Sequence, residues 1–519
     1  MTFRVTYSVL NADLRELHKE FDKALAAVRA GLGRDFPSYV AGRAVESGQF
    51  VEDRNPADTR QLLARFHKLP VAELDRAMEA AHKAQKFWGR TPWQERCRIL
   101  RKAADLISER RLEISAIMSL ETGKNRLESL GDVEESADLI RYYAGQLEEA
   151  KGFDRPLGSL SPNERTRSVL KPYGVFAVIA PFNFPLALAT GMSAGALLGG
   201  NSVVLKPSQE TPWCGHKLYE VLRDAGLPEG VFQLVHGTGA EVGNALLSHP
   251  RVDGIVFTGS KEVGMHLLRN SSKDYPKPCF LELGGKNPAI VTASANLDKA
   301  VEGCVRSTFG LSGQKCSALS RIYVHKSLKA EFIRRFQERA AKITIGDPLD
   351  KDVYLGPVIN QRALDRYAES LALAKKDGKL HVGGEDLRQK EAYRHGYFAA
   401  PVLVEVPHGH KLSRDELFLP FGTLHEFGTI DEAITMANDA MYGLTAGVFA
   451  EDKAELQMFL DNVEAGVLYA NRQSGATTGA WPGINSFCGW KGSGSTGKGG
   501  CGPYYVMQFM REQSQTVME

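Results

Sequence analysis

Apolar residues first recur at helical spacing. Leu14, Leu17, Phe21, Ala24, Leu25 and Val28 fall on one face, so residues 10–31 predict an amphipathic helix. Residues 38–66 read as short strands with a turn at Asn55-Pro56. From 71 to 151 the pattern is helical almost throughout, with breaks at Gly123 and Gly131. Near residue 165 the register changes. Residues 165–172 alternate like a strand, and 175–180, 202–205, 231–235 and 254–257 are short buried-type strands. Helical stretches follow from Pro185, at 211–225, at 241–247 and at 261–268. A second alternating set begins near 288, with strands at 289–291, 322–324, 402–404, 446–449 and 467–469. Helices at 297–308, 328–343, 361–376, 430–438 and 453–462 lie between them. Short β-rich runs alternating with helices predict βαβ units, parallel sheets and ligands at the carboxyl ends of the strands. The expected class is α/β, in two such domains that meet near residue 285.

Composition narrows this without redirecting it. A chain of 519 residues exceeds what one core usually supports. The net charge of +2 gives no electrostatic case for nucleic acid or a membrane surface. Met1–Leu10 lacks the apolar core of a signal peptide. The longest apolar run, 175–200, is interrupted by Pro181, Asn183 and Pro185. Seven cysteines, at 97, 214, 279, 304, 316, 488 and 501, are odd in number and widely spaced. They suggest neither a disulfide framework nor a zinc cage, and a reducing, cytoplasmic setting is expected.

Several motifs fit chemistry only on paper. Gly492–Lys498 matches a phosphate loop but has Gly499 where Ser or Thr should follow, and no strand precedes it. Gly191-Met-Ser-Ala-Gly195 matches a nucleophile elbow but sits in a helical pattern, so Ser193 reads as a packing residue. His408 and His410 lack a third metal ligand nearby, and no metal is expected. Gly237-Thr-Gly239-Ala-Glu-Val-Gly243 has its last glycine one place late for a dinucleotide fingerprint. Phe257-Thr-Gly259-Ser260 opens the next helix after a strand. Either suits a diphosphate at exposed amides, and either suits an ordinary strand–helix turn.

Phe309-Gly-Leu-Ser-Gly-Gln-Lys-Cys-Ser-Ala-Leu-Ser320 stands apart. Gly310 and Gly313 loosen the backbone, Lys315 adds positive charge, and Ser312, Gln314 and Ser317 are polar. A thiol reacts as thiolate, which such surroundings favour, although most free cysteines are inert core residues. Acyl chemistry on Cys316 also needs an oxyanion donor and a base. Asn183, between Pro181 and Pro185, offers a rigidly held amide. Glu282, in the apolar Leu281-Glu-Leu-Gly-Gly-Lys286, offers a carboxyl whose pKa burial would raise. Each has a plain structural alternative, a helix cap for Asn183 and a buried ion pair for Glu282. The three persuade only together.

Pro181-Phe-Asn-Phe-Pro185, Lys206-Pro-Ser208, Phe257-Thr-Gly-Ser260, Glu282-Leu-Gly-Gly-Lys286, Gly313-Gln-Lys-Cys316, Glu416-Leu-Phe418 and Asn438…Tyr442-Gly-Leu444 occur in the order and spacing of the aldehyde dehydrogenase superfamily. The resemblance spans nearly the whole chain. It implies a Rossmann-like NAD(P)-binding domain (1–149 and 173–284), a catalytic domain (285–484) and a β flap (150–172 and 500–519) that joins subunits into a homo-oligomer. It also implies that Cys316 is the nucleophile, Asn183 the oxyanion donor and Glu282 the base. NAD or NADP would lie against Pro181, Lys206, Ser208, Gln209, Gly239, Gly243, Phe257, Gly259, Ser260, Gly284, Glu416 and Phe418. The chain departs from the family pattern at Gln209, at Leu419, at Phe182 and at Ser486-Phe-Cys-Gly489, which sets Cys488 near the expected substrate mouth.

The nucleophile segment and Phe36-Pro-Ser-Tyr-Val-Ala-Gly42 resemble the dehydrogenases of 1-pyrroline-5-carboxylate, that is L-glutamate γ-semialdehyde. The resemblance implies that the substrate contacts Phe182, Ser317, Gly479, Ala480 and Phe487. Gly475-Ala-Thr-Thr-Gly-Ala480 allows two alignments of the loop that anchors it, and Trp481 is a candidate wall for an apolar pocket.

Overall fold

The computed structural model describes residues 14–272 and 275–519. Arg15–Arg29 is the expected amphipathic helix and buries Phe21, Leu25 and Val28. Residues 10–13 of that prediction, and the Met1–Leu10 segment, lie outside the described residues.

Two seven-stranded sheets carry the molecule. In the first, Cys279–Glu282, Gly254–Thr258, Val175–Ile179, Ser202–Lys206 and Phe232–Leu234 run parallel in that spatial order. Ser38–Val40 and Arg43–Val45 extend it antiparallel. Val175–Ile179 and the Val203-Val-Leu205 centre of Ser202–Lys206 are apolar and buried on both faces, which is the composition a central parallel strand needs. From Val175–Ile179 the chain winds to one side, then returns to Gly254–Thr258 on the other. The crevice at this switch point opens at the carboxyl ends of the strands, beside Pro181, Lys206 and Gly259.

The second sheet has the order Lys379–Val382, Val402–Glu405, Phe421–Phe427, Leu319–His325, Asn287–Val291, Thr445–Phe449 and Val467–Ala470, parallel except at Lys379–Val382. Only four residues, 283–286, separate Glu282 at the end of the first sheet from Asn287 at the start of the second. The two sheets are therefore joined by a short, direct connection.

Phe421–Phe427 was not expected as a strand. Gly422, Thr423 and His425 interrupt its apolar run, and six of its seven residues are buried, so no alternation marks it. Ser413 and Thr423 hydrogen-bond the buried His425 at 3.0 and 3.1 Å, which lets a polar ring sit inside the sheet. Gly239–Gly243 forms a single π-helical turn, so the late third glycine of that motif falls in a wide turn. Ser193 is buried in the helix Ala187–Leu198, as a packing residue.

A third sheet stands off the body. Met510–Met518 pairs antiparallel with Glu164–Pro172 along its whole length, and Asp154–Pro156 lies on the other side. The C-terminal segment is thus an ordered strand and does not fray.

Candidate active site

The helix Leu297–Phe309, N-capped by Asn296, delivers the chain to Gly310. Leu311, Ser312 and Gly313 then take φ of +51°, +52° and +69° in succession. Left-handed backbone at non-glycine residues costs on the order of 1–3 kcal/mol each, so neighbours must hold it. Glu128 Oε1 accepts from the Leu311 N–H at 2.7 Å, and Ser312 Oγ donates to the Gly356 carbonyl at 2.7 Å. Gln314 Oε1 accepts from the Ile359 N–H at 2.9 Å. A Cβ on Gly313 would lie 1.8 Å from the Leu419 carbonyl oxygen, so no other residue fits.

Cys316 follows, and it is the only one of the seven cysteines that is not buried. Its carbonyl accepts from Asn287 Nδ2 at 2.7 Å. Gly285 passes so close that a Cβ there would come within 2.4 Å of that oxygen. Burial pushes the thiol up to about 12, with further upward pressure from Glu416 and Glu282. The Ser317 and Cys316 N–H groups act the other way. The resting thiol is therefore protonated and needs a base.

Glu282 ends its strand with Oε2 buried and without a hydrogen-bond partner among the described residues. Burial raises its carboxyl to about 8. Asn183 is buried, and its Nδ2 donates to the Gln314 carbonyl at 3.0 Å, two residues before the thiol. One amide hydrogen stays available on that side of the loop. Asn183 thus reaches the nucleophile loop through Gln314 without being on the cavity wall. Cys316 and Glu282 share a cavity of about 310 Å³.

Ser317, Phe487, Gly479 and Ala480 line the same cavity, with Ser474 and Thr478. Ala476, by contrast, is packed into the core. Phe182 is not on the wall, and its ring packs edge-on to Phe418 at 5.8 Å. Trp481 is not on the wall either, and its indole donates to Asp138 Oδ2 at 3.0 Å. Cys488 is buried, whereas Cys501 reaches the cavity.

Sequence reading missed several wall residues. Glu128, Glu135, Leu139 and Tyr143 lie on one face of the long helix Arg126–Glu149, which Asn125 caps. Their 7-4-4 spacing is the signal that could have found them. Glu128 also pairs with Lys315 at 3.4 Å. Phe184 and Arg306 also line the cavity, whose wall thus combines apolar side chains with several charged ones.

The strand-end crevice suits a hydroxyl-rich dinucleotide. Lys206 Nζ is buried and bonds only the Pro207 carbonyl, at 3.1 Å, with no carboxylate partner among the described residues. Burial lowers it to about 8. Glu416 accepts from the Gly285 N–H at 2.9 Å and is raised to about 7 by burial. A Cβ on Gly284 would overlap this carboxylate, at 1.9 Å. Gly243 approaches Lys206, Gly239 is open, and Phe257 is buried under Gly259. Ser260 Oγ caps the helix Lys261–Asn270. Ser208 Oγ accepts from the Glu210 N–H, and Gln209 is exposed. A free donor and a carboxylate acceptor along one crevice are what two riboses require.

The aldehyde dehydrogenase family profile matches residues 43–515. A 1-pyrroline-5-carboxylate dehydrogenase from Geobacillus sp. (strain WCH70) is 36% identical over 507 residues, covering 96% of each chain. A solved 1-pyrroline-5-carboxylate dehydrogenase from Thermus with bound NAD is 34% identical with a TM-score of 0.93, covering 100% of both chains. A proline utilization A structure from Bdellovibrio bacteriovorus superposes with a TM-score of 0.91 at 34% identity, but this chain spans only 52% of its length. The chain belongs to the aldehyde dehydrogenase family and is an NAD(P)-dependent oxidoreductase.

Proposed function

We propose that the protein oxidises L-glutamate γ-semialdehyde to L-glutamate, a step of proline breakdown, with Cys316 as nucleophile. The observation that carries this reading is the single cavity in which the Cys316 thiol and the Glu282 carboxyl face Ser317, Gly479 and Ala480. A short aldehyde with a charged far end fits that arrangement. The names of the relatives point the same way.

Cys316 Sγ adds to the aldehyde carbon after losing its proton to a base. The Asn183 amide and the Cys316 N–H donate to the oxygen as it becomes negative. NAD(P), when bound, supplies the hydride acceptor. Loss of hydride from the carbon restores the C=O as a thioester on Cys316. Glu282 then takes a proton from water, which adds to the thioester carbon, and Cys316 leaves as thiolate. Lys206 and Glu416 would hold the riboses of NAD(P), and Pro181, Ser208, Gly259, Ser260 and Phe418 would frame it. Gln209, neutral and exposed, leaves both NAD and NADP admissible at the 2′ position.

The test is kcat/KM for L-glutamate γ-semialdehyde against hexanal, each with NAD and with NADP, read at 340 nm. A clear preference for the semialdehyde is expected. A preference for hexanal would make this a broad-range aldehyde dehydrogenase, and no reduced nicotinamide with any aldehyde would leave a thiol acyl transferase or hydrolase.

The same proposal covers assembly and location: a homo-oligomer working in the cytoplasm. The free edge of Met510–Met518, with Val517 and Met518 exposed on that sheet and Leu160 exposed in the loop beside it, suits a second copy. Light scattering should give a multiple of the chain mass, and deletion of 510–519 should lower it. An unchanged mass after deletion would count against this sheet as the contact.

A further inference from the structure

We infer that Arg472 is the positioning residue that turns the Gly479 and Ala480 N–H groups into the cavity, and so sets the enzyme's preference for a substrate carrying a carboxylate. The inference rests on the substrate reading above and deepens it.

Arg472 follows the strand Val467–Ala470. Its root is fixed by Asn471, whose side chain donates to the Ala450 carbonyl at 2.7 Å and accepts from the Ala450 N–H at 2.9 Å. The guanidinium lies over the Tyr469 ring, 4.7 Å from the centroid. From there Nη1 donates to the Thr478 carbonyl at 2.7 Å and Nη2 to the Gly479 carbonyl at 2.6 Å.

Two successive carbonyls aimed at one cation are unusual, because in extended chain they alternate sides. Bringing both to one side needs a sharp turn of the backbone between them, and Gly479 makes it with φ +95°. A Cβ at that position would come within 3.0 Å of Arg472 Nη2. Within a planar peptide the carbonyl and the following N–H point in opposite directions. With both carbonyls on Arg472, the Gly479 and Ala480 N–H groups both point away from it. Neither donates a hydrogen bond among the described residues, and both residues line the cavity with Cys316 and Ser317. Two adjacent, convergent, unpaired N–H groups make an anion-binding concavity. Thr477 Oγ1 donates to the Ser317 carbonyl at 2.7 Å, which ties this concavity to the nucleophile segment.

A lysine at 472 keeps the charge but lacks the planar fork that spans two carbonyls. The experiment compares wild type, Arg472→Lys and Arg472→Ala in three readings: KM and kcat for L-glutamate γ-semialdehyde, kcat/KM for hexanal, and the inhibition constant of glutarate against hexanal. Losing the aligned N–H pair should raise KM for the semialdehyde by about 10-fold or more in Arg472→Ala and less in Arg472→Lys. The glutarate constant should rise in parallel, with kcat/KM for hexanal kept within about twofold.

Equal losses for both aldehydes in Arg472→Lys would make the residue a plain loop staple and overturn the inference. So would an unchanged glutarate constant, or a wild type that glutarate does not inhibit. A wild type that glutarate inhibits through Arg472 but that prefers hexanal would overturn only the substrate reading.

Discussion

Cys316→Ala is expected to abolish turnover, lowering kcat by about 10⁴-fold or more, the scale seen when a covalent nucleophile is removed. Cys316 is the one thiol of the seven that is not buried, and of the six buried ones only Cys501 lines the cavity. The loop itself should survive, because its left-handed turn is held by Glu128, Gly356 and Ile359 and not by the thiol. The variant should therefore melt within a few degrees of wild type and still bind NAD, measured by calorimetry. Retention of more than a hundredth of the activity would remove Cys316 from the chemistry.

Glu282→Gln is the second large effect, about 10²- to 10⁴-fold on steady-state turnover, the range of a lost general base. Its signature is more specific than its size. Acylation passes through Cys316, so a first equivalent of reduced nicotinamide should appear quickly, followed by slow release of acid. The sign with pH follows from the raised carboxyl. Glu282 accepts a proton only as carboxylate, so wild-type turnover should rise as pH climbs through about 8 and fall below it. A glutamine has no such ionisation, and the variant should lose that limb of the profile. Stopped-flow traces at several pH values read both effects. A variant with no burst, or with the wild-type pH limb intact, would assign the base elsewhere.

Much of this was legible because the responsible residues announce themselves locally. Val175–Ile179 is an unbroken apolar run and Ser202–Lys206 has Val203, Val204 and Leu205 at its centre, which is how buried parallel strands are usually written. Glu282 was visible as a carboxyl in an apolar run beside two glycines. What stayed hidden depends on partners distant in sequence. His425 looks like a strand breaker until Ser413 and Thr423 satisfy it. Arg472 reads as an ordinary loop cation, and only the folded loop brings two carbonyls onto it. The resemblance implies a substrate contact for Phe182, but which way a ring turns in the bend between Pro181 and Pro185 depends on partners far along the chain. Phe184 faces the cavity and Phe182 faces Phe418.

The four residues 283–286 between the two sheets have a consequence of their own. They begin just after the proposed base, and within them Gly284 and Gly285 touch Glu416 and the carbonyl of Cys316 at distances that leave no slack. Turnover is therefore a gauge of how the halves of the molecule are set against each other. A substitution far from the cavity that tilts one sheet by a fraction of an ångström should register first as a slower enzyme, well before it registers as a less stable one.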